Sequence, residues 1–269
     1  MIPVAAPLRV RQRLAAVDGP VDGPVPVLHA GAEAWYVDVA GWAVGVLSRD
    51  AAPVPCGLRS QVPGSALFEG DAPRKTGYLE RGTLWLGGRV FRLVRSVDVR
   101  APRIVVRDGF RTANSATVTA TPPAQVAEFV RGVGGRDLDD LDDLRMADLA
   151  PHLVGAGPGL TPLGDDLLCG WLSVFRAAGV ATPCTDAVLD RLLAADRPAT
   201  TLLSATLIDC ARHGEVLPHF GAWLGALGSP LEGDRLARLR AVGATSGAGL
   251  AEGARLALLS LSTPAKAAS

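Results

Sequence analysis

The residues best suited to chemistry fall in one stretch, Gly155-Ala156-Gly157-Pro158-Gly159-Leu160-Thr161-Pro162-Leu163-Gly164-Asp165-Asp166. Three alternate glycines let a backbone approach a ligand closely, and a helix starting just after them presents unpaired N–H groups and its positive dipole end. That construction suits a small anion such as phosphate, carbamoyl phosphate or a carboxylate. Gly155, Gly157 and Gly159 would supply amides and Thr161 a hydroxyl. Two nucleotide motifs fail here. A P-loop needs Gly-Lys-Ser/Thr, and a dinucleotide fingerprint would not place Pro158 in its turn or follow a strand as short as Leu153-Val154.

Asp165 and Asp166 fall in the first turn of that helix, where the dipole favours carboxylates without any further role. They could also orient a substrate amide by accepting its N–H groups, or hold Mg²⁺ through water. Two adjacent carboxylates without a third ligand make a weak metal motif, so no cofactor is indicated, with a hard cation such as Mg²⁺ the kind this pair could take. Two further helix starts are rich in hydroxyls: Thr200-Thr201-Leu202-Leu203-Ser204, where either threonine is an adequate cap, and Thr245-Ser246-Gly247. Thr200, Ser204, Thr245, Ser246 and Gly247 are therefore candidate anion-binding residues, although tight helix packing explains the glycines of the last turn equally well. His213 and His219, six apart, lack the i, i+4 spacing of a helical metal pair, and no Gly-x-Ser-x-Gly elbow occurs.

Two kinds of element must position these residues. Trp35–Val39, Trp42–Leu47, Thr83–Leu86, Arg89–Val94 and Arg103–Val106 are β-branched or aromatic runs bounded by turn residues, and Gly87-Gly88 joins two of them as a tight hairpin. Residues 53–73, rich in Pro and Gly, read as a long irregular connection. After Thr121-Pro122-Pro123 the apolar spacing becomes three and four. Thr161-Pro162 predicts a cap and first helical residue, followed by a stripe of Leu163, Leu167, Leu168, Trp171, Leu172 and Phe175 ending at Gly179. Further helices are expected over 186–195, 200–213, 215–227, 230–241 and 246–261. The acidic run Asp139, Asp140, Asp142 and Asp143 reads as the solvated face of another.

The 269 residues carry 27 basic and 27 acidic side chains and are 48% apolar, which excludes a disordered chain. Residues 1–135 hold 16 basic and 11 acidic groups and the remainder 11 and 16. That modest excess without interleaved aromatics argues against nucleic-acid binding. The series Arg89, Arg92, Arg95, Arg100, Arg103, Arg107 and Arg111 would be split between the two faces of strands. Cys56, Cys169, Cys184 and Cys210 form no C-x-x-C pair and read as reduced thiols, and no apolar run is long enough for a membrane span. A cytoplasmic protein without membrane contact is expected.

The segment 155–170, together with Thr200-Thr201-Leu202-Leu203-Ser204, Ala211-Arg212-His213-Gly214-Glu215 and Thr245-Ser246-Gly247, resembles the AllH-like subunit family of oxamate carbamoyltransferase. The resemblance covers about 150–260 and is loose before that. It implies a place in ureide and purine nitrogen breakdown, in a complex that interconverts oxalurate plus phosphate with oxamate plus carbamoyl phosphate, and it implies partner subunits. The expectation is an α+β chain: a β-rich N-terminal domain over 1–120, as an antiparallel sheet or small barrel, packed on an α-helical C-terminal bundle over 121–269. Its site would lie at 155–166, with Asp165, Asp166 and Thr161 the candidate catalytic residues. Two alternatives stand beside this: a non-catalytic assembly subunit, and a stand-alone Mg²⁺-dependent hydrolase using the aspartate pair.

Overall fold

The computed structural model describes residues 1–15, 23–68, 76–105, 115–134, 138, 141–194 and 199–262. It divides into two compact units, Met1–Val99 and Arg100–Ser269.

Among the described residues the first unit holds eight strands: β1 (Ile2–Pro7), β2 (Gly23–Ala30), β3 (Ala34–Asp38), β4 (Ala43–Leu47), β5 (Gly57–Arg59), β6 (Thr76–Glu80), β7 (Thr83–Leu86) and β8 (Arg89–Val97). The helices α1 (Leu8–Leu14) and α2 (Gly64–Leu67) lie between them in sequence. The expected antiparallel sheet is corrected here: the strands close into a barrel in the order β1-β5-β4-β3-β2-β6-β7-β8, and β1–β8 and β4–β5 are parallel pairs. Closure removes the exposed edges that an open sheet of such short strands would carry. Val4, Val37, Val44, Val46, Leu58, Leu79, Leu84 and Phe91 are buried in this unit. The Gly87-Gly88 turn forms as the sequence requires, with Leu86 opposite Arg89 and φ of 56° and 70° at the two glycines. A side chain at Gly87 would also strike the Trp35 ring at 2.5 Å.

The supposed irregular connection contains β5 and α2, while Arg103–Val105 form no strand and Val106 lies outside the described residues. Instead, Ala101 N donates to Gly214 O and Ile104 N to Ala177 O, which ties this segment to the helices.

The second unit contains α3 (Ala116–Thr119), α4 (Ala124–Gly134), α5 (Asp143–Leu153), α6 (Leu163–Ala177), α7 (Pro183–Leu193), α8 (Leu202–Arg212), α9 (Pro218–Leu224), α10 (Glu232–Arg240) and α11 (Ser246–Ser262). Asp142 and Asp143 of the acidic run do not serve as a solvated helix face. Asp142 caps α5 by accepting from Arg145 N, and Asp143 accepts from Cys184 N and Thr185 N at the start of α7; Asp139 and Asp140 lie outside the described residues.

Helix α6 is buried on almost every side, and its Trp171 stacks on Phe175 at 4.0 Å and donates to Leu141 O at 2.9 Å. It lies against α11 through glycines: a Cβ at Gly170 would meet Leu250 O at 2.1 Å, and one at Gly253 would meet Leu167 O at 1.8 Å. These glycines let two backbones touch, which fixes where the N-termini of α6 and α11 emerge.

Candidate functional site

Three helix starts converge around residues 155–166. The loop begins clipped to the scaffold, with Ala156 N donating to Leu153 O and Gly164 N to Ala156 O, each at 2.9 Å. Gly155 has φ +75°, and a Cβ there would lie 2.0 Å from Ala199 O, so only glycine fits between this loop and the start of α8. Helix α6 begins one residue later than its sequence suggests: Pro162, with φ −53° and ψ 145°, occupies the cap position and Leu163 the first turn. Thr161 is left out of capping, and its hydroxyl lies 2.8 Å from the Ser246 hydroxyl at the start of α11. At α8, Thr201 is the cap. It accepts from Ser204 N at 3.1 Å and donates to Leu160 O at 2.7 Å.

The adjacent aspartates do different jobs. Both are sealed from solvent, at 1% and 4% exposure. Asp165 Oδ1 accepts from Gly155 N at 2.9 Å and Oδ2 from the Thr200 hydroxyl, so its carboxylate straps the loop to α8. Burial pushes its pKa up, opposed by the hydrogen bonds from Thr200, Gly155 and Ser204. Asp166 has a buried Oδ2 with no partner among the described residues. Burial, with the neighbouring charge of Asp165, raises the Asp166 carboxyl to about 8 against the pull of a hydrogen bond with Ser246. At neutral pH Asp166 is therefore mostly the neutral acid, a hydrogen-bond donor instead of a negative charge. Cys169, one turn further along α6, is also buried, and its thiol is pushed well up by burial and by both aspartates, which leaves it inert as a nucleophile.

The backbone donors separate in the same way. Gly155 N is taken by Asp165, and Asp165 N and Asp166 N both go to Pro162 O. The amides of Gly157, Gly159, Leu160 and Thr161 have no acceptor among the described residues, and residues 157–160 are exposed. Gly157 and Gly159 sit at φ +115° and +99°, conformations that a side chain would strain.

Of the residues singled out in the sequence, Thr161, Asp165, Asp166, Thr200, Ser204 and Ser246 come together. Gly247 donates its amide to Val242 O, and a Cβ there would meet Leu239 O at 1.9 Å, so its space is taken up by packing. Thr245 O accepts from Gly249 N. Sequence reasoning passed over Gly249 itself, whose missing side chain would lie 2.9 Å from Asp166 Cβ and 2.8 Å from Leu163 Cδ1. Its position three residues beyond Ser246, the first residue of α11, was the available signal.

Both oxygens of Asp165 are engaged within the protein. No group of three His, Cys, Asp or Glu residues suited to a metal occurs among the described residues. No helix among them is long and apolar enough to cross a membrane.

Residues 153–258 match the family described as oxamate carbamoyltransferase subunit AllH. No curated protein and no solved structure matches the chain. The matched span runs from the end of α5 into α11 and includes every residue of the site described above. Over that span the helical unit is similar to the AllH family, whose description as a subunit implies partner proteins for that family.

Proposed function

We propose that the loop ahead of α6 holds the small anion of a carbamoyl transfer, whether phosphate, carbamoyl phosphate or the oxamate carboxylate, within an oxamate carbamoyltransferase complex of ureide nitrogen breakdown. The observation that carries this reading is the sealed, unpartnered Oδ2 of Asp166 beside the Thr161–Ser246 hydroxyl pair. A buried polar atom left unpaired costs about 1–3 kcal/mol, and a ligand oxygen accepting from the neutral acid removes that cost. The amides of Gly157, Gly159, Leu160 and Thr161 supply further donors, and the α6 dipole adds to their field. With Asp166 neutral, the donors are not opposed by a carboxylate charge in the same place. Donors fixed by the glycine turns and the Asp165 strap would stabilise charge developing on a transferring carbamoyl or phosphoryl oxygen without reorganisation.

The test is calorimetric titration of the full chain, alone and with its partner subunits, with phosphate, carbamoyl phosphate and oxamate. Saturable binding that is lost in Asp166→Ala and weakened in Thr161→Val supports the reading. No saturable binding in either state of assembly overturns it, as does binding that ignores both substitutions. The glycines at 164, 170, 247 and 253 are fully explained by backbone contact, so an assembly role for the helix pair needs no ligand. Turnover of the complex separates that alternative, because a scaffold would keep it when Asp166 is changed.

A further inference from the structure

The barrel gathers a set of guanidinium groups that the AllH-like match, confined to 153–258, does not touch. On a regular strand Arg92 and Arg95, three apart, would face opposite sides. In β8 they do not. Val4 pairs with Leu93 and Ala5 with Arg95, so Val94 is an extra residue, a bulge that turns Arg95 outward with Arg92 while Phe91 stays in the core. Bulges commonly re-aim side chains in this way. Arg92 and Arg95 line a cleft of about 330 Å³ with Arg11 of α1, Arg81 of the β6–β7 turn, Thr83 and Ser96, and no carboxylate lines it among the described residues. No carboxylate among the described residues pairs with Arg11, Arg92 or Arg95. Arg81 holds φ +47°, a left-handed turn position that glycine or asparagine would fill with less strain.

Arg11, Arg92 and Arg95 bring like charges to one concave surface, where they repel one another, and the arrangement becomes favourable when an anion bearing several charges sits among them. The guanidinium fork matches phosphate oxygens two at a time. We propose that this cleft binds a small molecule carrying a diphosphate or longer phosphate chain, at a site separate from the one at α6. The two hydroxyls at Thr83 and Ser96 add donors on its wall, and the cleft is large enough for two phosphoryl groups but shallow enough to stay open to solvent.

The experiment titrates the full chain with pyrophosphate, with monophosphate and with a short DNA duplex, then repeats it with Arg92→Gln/Arg95→Gln and with Arg11→Gln. Circular dichroism confirms that these surface variants fold. Saturable pyrophosphate binding that weakens about tenfold or more in the double variant, falls with salt and is unchanged in Asp166→Ala supports the proposal. No saturation at millimolar pyrophosphate overturns it. So does binding that persists in the double variant, or a duplex that binds through these arginines while pyrophosphate does not. If pyrophosphate binding is instead lost in Asp166→Ala, the anion sits at α6 and the barrel proposal fails while the reading of the α6 site stands.

Discussion

Replacing Asp166 by Asn tests the electrostatics of the α6 site in the absence of any ligand. Asparagine has the shape of the neutral acid and cannot ionise, so the variant minus the wild type isolates one titration. In the folded protein the Asp166 carboxyl is raised from 3.8 to about 8. The folded state therefore binds more protons than the unfolded state between those values, and stability falls as pH rises through the window. The favourable contribution of the protonated group is fully present below about pH 4 and is lost by about pH 8. Each unit of separation corresponds to about 1.4 kcal/mol, an upper limit because local opening and water entry reduce the effect. For a unit of this size about 1 kcal/mol shifts the melting temperature by roughly 2–4 °C. Asp166→Asn is therefore expected to melt with the wild type near pH 4 and above it by an amount that grows with each pH unit up to pH 8. Thermal melts at unit pH intervals in a constant-ionic-strength buffer read this directly. A difference that stays flat from pH 4 to 8 would show that Asp166 is ionised and solvated in the folded protein, and the argument from a neutral acid would be refuted.

Thr200→Val should leave Asp165 Oδ2 buried without its hydroxyl donor, costing about 1–3 kcal/mol in denaturant unfolding; an unchanged midpoint would remove the strap between the loop and α8. Gly253→Ala would drive a methyl to 1.8 Å from Leu167 O, so it should cost several kcal/mol or abolish folding, whereas Gly233→Ala in α10, with open space around it, should be neutral or stabilise by up to about 0.5 kcal/mol. Gly159→Ala has room for its methyl but sits at φ +99°; it should lower stability by about 1–2 kcal/mol, while weakening oxamate binding more than it weakens the fold. Oxamate stays ionised from pH 6 to 9, so its affinity should decline as pH rises past about 8 and Asp166 gains its charge; an affinity constant across that range would count against Asp166 facing the anion.

Local signals in the sequence were reliable where the structure they specify is local. The Gly87-Gly88 hairpin and the apolar stripe of α6 required nothing beyond their own residues. Barrel closure depends on β1 pairing with β8, nearly the whole unit apart in sequence, and no spacing rule reaches that far. The short β5 is hidden in a Pro- and Gly-rich segment whose composition suggests a loop, and β1, Ile2–Pro7, carries two prolines that argue against a strand. The bulge at Val94 was equally unreadable, because an extra residue in a strand is visible only against its partner, and it reversed the expected separation of Arg92 from Arg95.

At the site the chemistry was legible and the division of labour was not. Two adjacent acids at a helix start read as a pair, but consecutive residues on a helix point about 100° apart, and that angle decides their fates. Asp165 points toward the glycine loop and α8, where an amide and a hydroxyl satisfy it; Asp166 points toward α11, where Gly249 leaves room for its Cβ and Ser246 is its one contributing partner. The same residue types two positions apart would have shared neither role. Burial is the main reason Asp166 is hard to ionise, and the Asp165 carboxylate held beside it adds to that. The strap and the proton on Asp166 are therefore coupled: loosening Asp165 by Thr200→Val should move the midpoint of the Asp166 titration, and an unmoved midpoint would show that burial alone holds the proton in place.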